Sequence, residues 1–198
     1  ERYGKHIFDE GSIVFGCDLN YDNGVKSVKL ETQFAGADLT INNFSNTIVT
    51  GGTSSAKARV VGTAASTATD QPTLMVQFLS DTEFQDGETL TVTGTTTQAN
   101  TVSSTGASGL ANSVGNGSIV SCSSGVFYVG GYFIFKDAET LILEKYSETP
   151  SYRIGFQTTE SIVTSDSDST LLDPAQGAYN YAAQGATRYK VILNLSAK

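Results

Sequence analysis

The chain has 198 residues, of which only 16% are charged, and a formal net charge of -8. That sign repels a phosphate backbone and argues against nucleic acid as a partner; no apolar run reaches the roughly 20 residues that a membrane-spanning helix needs. Gly, Ser and Thr stand where long helices would draw on Ala, Leu, Glu and Lys, so the composition predicts an all-β fold of short strands and turns.

Residues 1–8 are a lead-in, opening at Glu1 without methionine, as an excerpt of a longer polypeptide would. Ser12 to Cys17 reads as a short strand, and Asp22-Asn23-Gly24 as a turn, with Asn-Gly suited to left-handed backbone. A calcium loop counted from Asp18 fails, because Asn23 and Lys29 hold the places that require Gly and Glu. From residue 25 to 102, short Val/Thr-rich runs are punctuated by Gly51-Gly52, Asp86-Gly87 and Gly94. They predict a small β-barrel or sandwich inserted into a larger β-rich scaffold, whose other parts are residues 1–24 and 117–198. Residues 103–116, rich in Ser, Gly and Thr, read as a linker or an extended packed segment.

The most apolar run is Val126 to Phe135 (VFYVGGYFIF), nearly symmetric about Gly130-Gly131. Two apolar runs joined by Gly-Gly predict a two-residue hairpin, since both turn positions need positive φ. Val129, Tyr132, Phe127 and Ile134 fall on one face; Tyr128, Phe133, Val126 and Phe135 fall on the other. Neither face is polar, so both want cover, from this chain or from a sister subunit. Phe127, Tyr128, Tyr132, Phe133 and Phe135 are therefore the candidate oligomer or partner contacts. Two further strands follow, at residues 140–146 and 152–163. The last strand, Thr187 to Leu195, turns Tyr189, Val191, Leu193 and Leu195 inward and Arg188, Lys190 and Asn194 outward.

No catalytic constellation is legible. The single histidine, His6, has no nucleophile motif to serve, and acidic pairs such as Asp166/Asp168 and Asp81/Glu83 sit in polar loops. Two cysteines and one histidine without close spacing argue against a metal site. Cys17 and Cys122 read as two small buried hydrophobes or as one disulfide. No enzyme activity, cofactor or metal is expected. Tyr179 and Tyr181, in a glycine-bearing loop, are the tyrosines best placed to meet a glycan or a partner.

Several runs resemble a domain family of unassigned activity found in tail, baseplate and fibre proteins of tailed bacteriophages. The residues that carry the resemblance are Gly125 to Phe133 (GVFYVGGYF), Lys145 to Gly155 (KYSETPSYRIG), Glu160 to Thr164 (ESIVT), Leu171 to Gly177 (LLDPAQG), Asn180-Tyr181 and Gly185 to Arg188 (GATR). They span about residues 118–195, with residues 4–16 similar to an upstream part. Gly130 stands where the family pattern has Asp or Asn. The resemblance implies a structural virion component that docks or positions neighbouring tail proteins, is homotrimeric as fibres usually are, and is assembled in the host cytoplasm. It transfers no catalytic residues. A receptor-binding module that grips host cell-surface glycan through Tyr179 and Tyr181 is the alternative. A polysaccharide-cleaving tailspike is disfavoured, because no solenoid period repeats along the chain.

Overall fold

The computed structural model describes residues 4–103 and 112–198. Its first element is the short helix α1 (Gly4–Ile7). Strands follow as β1 (Ile13–Gly16), β2 (Leu19–Asp22), β3 (Lys26–Lys29), β4 (Gln33–Phe34), β5 (Ala37–Asp38), β6 (Ile48–Gly51), β7 (Lys57–Ala64), β8 (Thr73–Phe78), β9 (Thr89–Val92) and β10 (Gln98–Asn100). After the undescribed residues 104–111 come β11 (Val114–Asn116), β12 (Ser118–Cys122), β13 (Gly125–Val129), β14 (Tyr132–Lys136), β15 (Glu139–Glu144), β16 (Ile154–Val163) and β17 (Arg188–Ala197). The chain is nearly all β, as its composition predicts.

Two compact units emerge, and both are discontinuous in sequence. One comprises residues 17–124 and 137–152, the other residues 1–16, 125–136 and 153–198.

In the first unit, seven antiparallel strands run in the order β10-β9-β6-β7-β8-β3-β11 and curl into a half-barrel. Just past β3 and β10 the curled sheet is bridged across: Leu30 pairs with Thr101, Glu31 N–H donates to the Asn100 carbonyl at 2.9 Å and Val102 N–H donates to the Lys29 carbonyl at 3.0 Å. Its concave core holds Val28, Leu30, Phe44, Val49, Val60, Leu74, Val76 and Leu90. β8 is buried at four consecutive residues, Thr73 to Val76, because it is covered on both faces. Leu74 and Val76 enter the concave core, while Met75 points the other way and packs with Val25 and Ile119. Ile119 belongs to a second sheet, β15-β12-β2. Gly117 is required there, since a Cβ would strike the Met75 Cε atom and approach the Lys145 carbonyl to 2.9 Å.

The structure decides two readings that the sequence leaves open and overturns a third. Of the stretch read as a linker or an extended packed segment, residues 104–111 lie outside the described residues, and Val114–Asn116 is extended and packed, as a strand paired with Lys26–Lys29. Asp22 to Gly24 makes no backbone turn: Gly24 N–H donates to Asp22 Oδ1 at 2.8 Å, and neither Asn23 nor Gly24 has positive φ. Cys17 and Cys122 are buried thiols.

The second unit holds the sheet β1-β13-β14, the ribbon β16-β17 and α1. The hairpin has the predicted register, with Val129 opposite Tyr132 and Phe127 opposite Ile134. Gly130 and Gly131 take φ of 61° and 87°, the double left-handed turn that fits the twist of two strands.

Candidate partner-docking surface

The two faces of the β13-β14 hairpin fare differently. The Phe127/Ile134 face is covered within its own unit. Phe127 packs on Phe156 of β16 with ring centroids 4.7 Å apart, and Tyr132 meets Tyr189 of β17 at 5.9 Å. The ribbon serves as cover because β17 alternates: Leu193 and Leu195 are buried. A lone two-stranded ribbon is marginal in water, so this packing is what fixes it.

The opposite face is half covered. Phe8, just after α1, lies over Tyr128 and Phe133 at 5.8 and 5.6 Å, and Gly4 lets α1 sit directly on the Tyr128 ring. Tyr128 is consequently buried. Beyond Phe8 the face is open. A bulge in β1 opposes both Val14 and Phe15 to Val126, where regular pairing would set Phe15 against Gly125. The slip brings Phe15 into one row with Val126 and Phe135. Phe15 is 74% exposed, Phe135 64% and Phe133 54%. Three phenylalanines on one sheet face make an uncovered apolar strip of the kind that marks interaction sites.

The candidate residues therefore separate. Phe127 and Tyr128 lie inside the unit, whereas Tyr132, Phe133 and Phe135 reach its surface. Phe15 was missed by sequence reading. Its signal was the Phe-Gly pair that ends Ile13–Gly16, but a bulge leaves no mark in hydrophobic alternation.

Tyr179 and Tyr181 sit on a loop organised by Asp173. That carboxylate accepts the Ala175 N–H at 2.9 Å and the Asn180 side-chain amide, while its backbone exchanges hydrogen bonds with Ala182 and Ala183. Gly185 closes the loop against the Leu171 carbonyl, a space that a Cβ would occupy. This accounts physically for the Leu171 to Gly177 run. Tyr179 is fully exposed and Tyr181 about half exposed. The other late tyrosines are engaged. Tyr146 donates to Asp70 Oδ1 at 2.6 Å, Tyr152 donates to Glu144, and Tyr189 is held by Glu160, whose hydrogen bond raises the phenol pKa.

Beside the Tyr132–Tyr189 pair runs a groove of about 630 Å³, lined by residues 132–134, Val163, Asp168 and residues 188–191. Asp168 is held ionised, its pKa lowered by hydrogen bonds from the Thr170 hydroxyl and N–H and, less, by Arg188.

The family described as "Domain of unknown function (DUF4815)" matches residues 76–198, more than half of the chain. The match starts inside the seven-stranded sheet and takes in the hairpin, the ribbon and the Asp173 loop. No curated protein and no solved structure matches the chain.

Proposed function

We propose that this chain, which belongs to the DUF4815 family, is a structural component of a bacteriophage virion, a tail, baseplate or tail-fibre protein that docks neighbouring copies and tail proteins. The observation that carries the docking role is the Phe15–Val126–Phe135 row, apolar across three strands and open to water. Hiding a large apolar side chain is worth roughly 1.5–3 kcal/mol, so such a row is costly to leave uncovered and gains by meeting a like surface. Support for the virion setting is the resemblance over residues 118–195. The occupant of the row is a second copy of the chain, in a homotrimer as fibre proteins favour. The mechanism is mechanical: a rigid hairpin, pinned by Phe8 on one side and Phe156 on the other, holds the row at a fixed angle.

The setting is tested on intact particles. Gold-conjugated antibody raised against the chain should label the tail in electron micrographs; particles that contain no such chain would end the virion reading. A second reading, glycan recognition, is favoured by one observation, the full exposure of the Tyr179 ring. Glycan-array binding that disappears in Tyr179→Ala/Tyr181→Ala would establish it, and an array without signal would remove it.

A further inference from the structure

The groove beside Tyr132 and Tyr189 is walled by consecutive residues, 132–134 on one side and 188–191 on the other. A wall built from neighbouring residues is a strand edge, since a strand face would contribute every second residue. Both strands are indeed outermost: β14 pairs only with β13, and β17 only with β16.

The register tells which backbone groups face the opening. Arg153 and Lys198 exchange both backbone bonds, at 2.7 and 2.9 Å. Counting along β17 from that pair, Arg188 and Lys190 bond inward to β16, and Tyr189 and Val191 turn their N–H and C=O outward. In the two-residue hairpin, Val129 and Tyr132 are the bonded pair that flanks the turn, so Phe133 turns its N–H and C=O away from β13. Among the described residues, no strand meets these outward groups of Phe133, Tyr189 or Val191.

Charge narrows the occupant. Arg188 and Lys190 both line the groove from one face of β17, two residues apart. Among the described residues neither side chain makes a hydrogen bond or an ion pair, although Arg188 feels the Asp168 carboxylate, in a chain of net charge -8. Cations on an edge repel a second copy of the same edge. They attract a strand with carboxylates at alternate positions.

We infer that this groove takes up an extended acidic peptide segment of a neighbouring protein as an added β-strand, with carboxylates at alternate positions against Arg188 and Lys190 and apolar side chains against Tyr189 and Val191. The inference rests on the reading of this unit as a docking module and names a second contact on it, apart from the Phe15–Phe135 row.

The probe is the blocked peptide acetyl-Thr-Glu-Val-Glu-Val-Thr-amide, added to the whole chain and followed by NMR hydrogen exchange. Binding should slow exchange at the Phe133, Tyr189 and Val191 amides. The same peptide N-methylated at both valines should not bind, because its strand-forming donors are gone. Arg188→Ser/Lys190→Ser, at two exposed positions, should weaken binding by roughly fivefold or more, with the loss shrinking as salt rises. Equal binding of the N-methylated peptide, unchanged exchange at the three amides, or displacement of the peptide by a neutral oligosaccharide would each overturn the inference. Phe15→Ser/Phe135→Ser separates the two readings. If this variant loses self-association and keeps the peptide, both contacts stand. If the wild-type chain self-associates and ignores the peptide, strand addition alone falls.

Discussion

Replacing Glu88 by glutamine tests whether one buried carboxylate anchors the turn at residues 51–56 of the half-barrel. Glu88 is 4% exposed. Its Oε2 accepts the Thr53 and Ser54 N–H groups at 3.0 and 2.9 Å; its Oε1 accepts the Gln85 N–H at 2.7 Å and the Ser54 hydroxyl at 2.8 Å. Hydrogen bonds to a charged group contribute about 1.5–3 kcal/mol each, and neutral ones about 0.5–1.5. Glutamine keeps one oxygen, and in its better orientation the new NH2 faces the Gln85 N–H. One charged bond is lost and two are weakened, for a cost of about 3 kcal/mol. Glu88→Ala removes all of them and costs about 4 kcal/mol or more, at the upper end for single substitutions. Ser54→Ala deletes the hydroxyl, which donates to the carboxylate and accepts the Ala56 N–H at 3.2 Å, and costs about 2 kcal/mol. The assay is amide exchange at Val49 and Leu90, core residues of the same sheet, which reads this unit alone. Glu88→Gln should speed their exchange about 100-fold, at 1.4 kcal/mol per factor of ten. A change below about threefold would refute the anchoring argument.

Further outcomes follow from the same geometry. Gly117→Ala forces the Met75 side chain aside against a fixed Lys145 carbonyl and should cost ~1–3 kcal/mol in urea unfolding, while Gly155→Ala, with open space around it, should be near neutral. Gly130→Asn should fold as well as wild type, because Asn tolerates a φ of 61°, whereas Gly130→Val should lose ~1–2 kcal/mol. Burial works to raise the Asp70 pKa, but the Lys145 and Tyr146 hydrogen bonds and the Lys145 charge outweigh it and hold it below the usual value. Burial and the bond to Asp70 push Tyr146 up to about 12. Asp70 therefore stabilises the fold above ordinary carboxylate pH and ceases to do so as pH falls through its depressed pKa. Tyr146 stabilises it below pH ~10 and loses that contribution as pH rises through about 12. A thermal midpoint measured against pH should show both losses, and Asp70→Asn should flatten the acid limb; an unchanged acid limb would count against the pair.

The parts legible in the sequence are those governed by local chemistry. Gly130-Gly131 dictates a two-residue turn, and the turn dictates the register from Val126 to Phe135. The inward set ending in Leu193 and Leu195 follows from period-two alternation, and burial respects it at those two residues. What escaped depends on partners distant in sequence. Val114–Asn116 has no apolar alternation and becomes a strand only because Lys26–Lys29 offers it an edge. Phe8 gives no sign of its task until Tyr128 and Phe133 are placed beneath it. Arg188 and Lys190 read simply as outward residues; their interest comes from the bare edges of β14 and β17, which no pattern along one strand can disclose. Asp168 looked like one acid in a polar loop, and its place by Arg188 required the ribbon to form.

Sedimentation equilibrium of the purified chain over a wide concentration range, beside Phe15→Ser/Phe135→Ser, tests the docking claim most directly. The wild-type chain should reach the trimer mass as concentration rises. The variant, with the same circular dichroism, should need on the order of 100-fold higher concentration: losing roughly 2 kcal/mol of apolar burial per protomer is about 6 kcal/mol per trimer, and half of that appears in the midpoint because trimerisation depends on the square of concentration. A wild-type chain that stays monomeric throughout, or a variant that assembles as readily, would contradict the account.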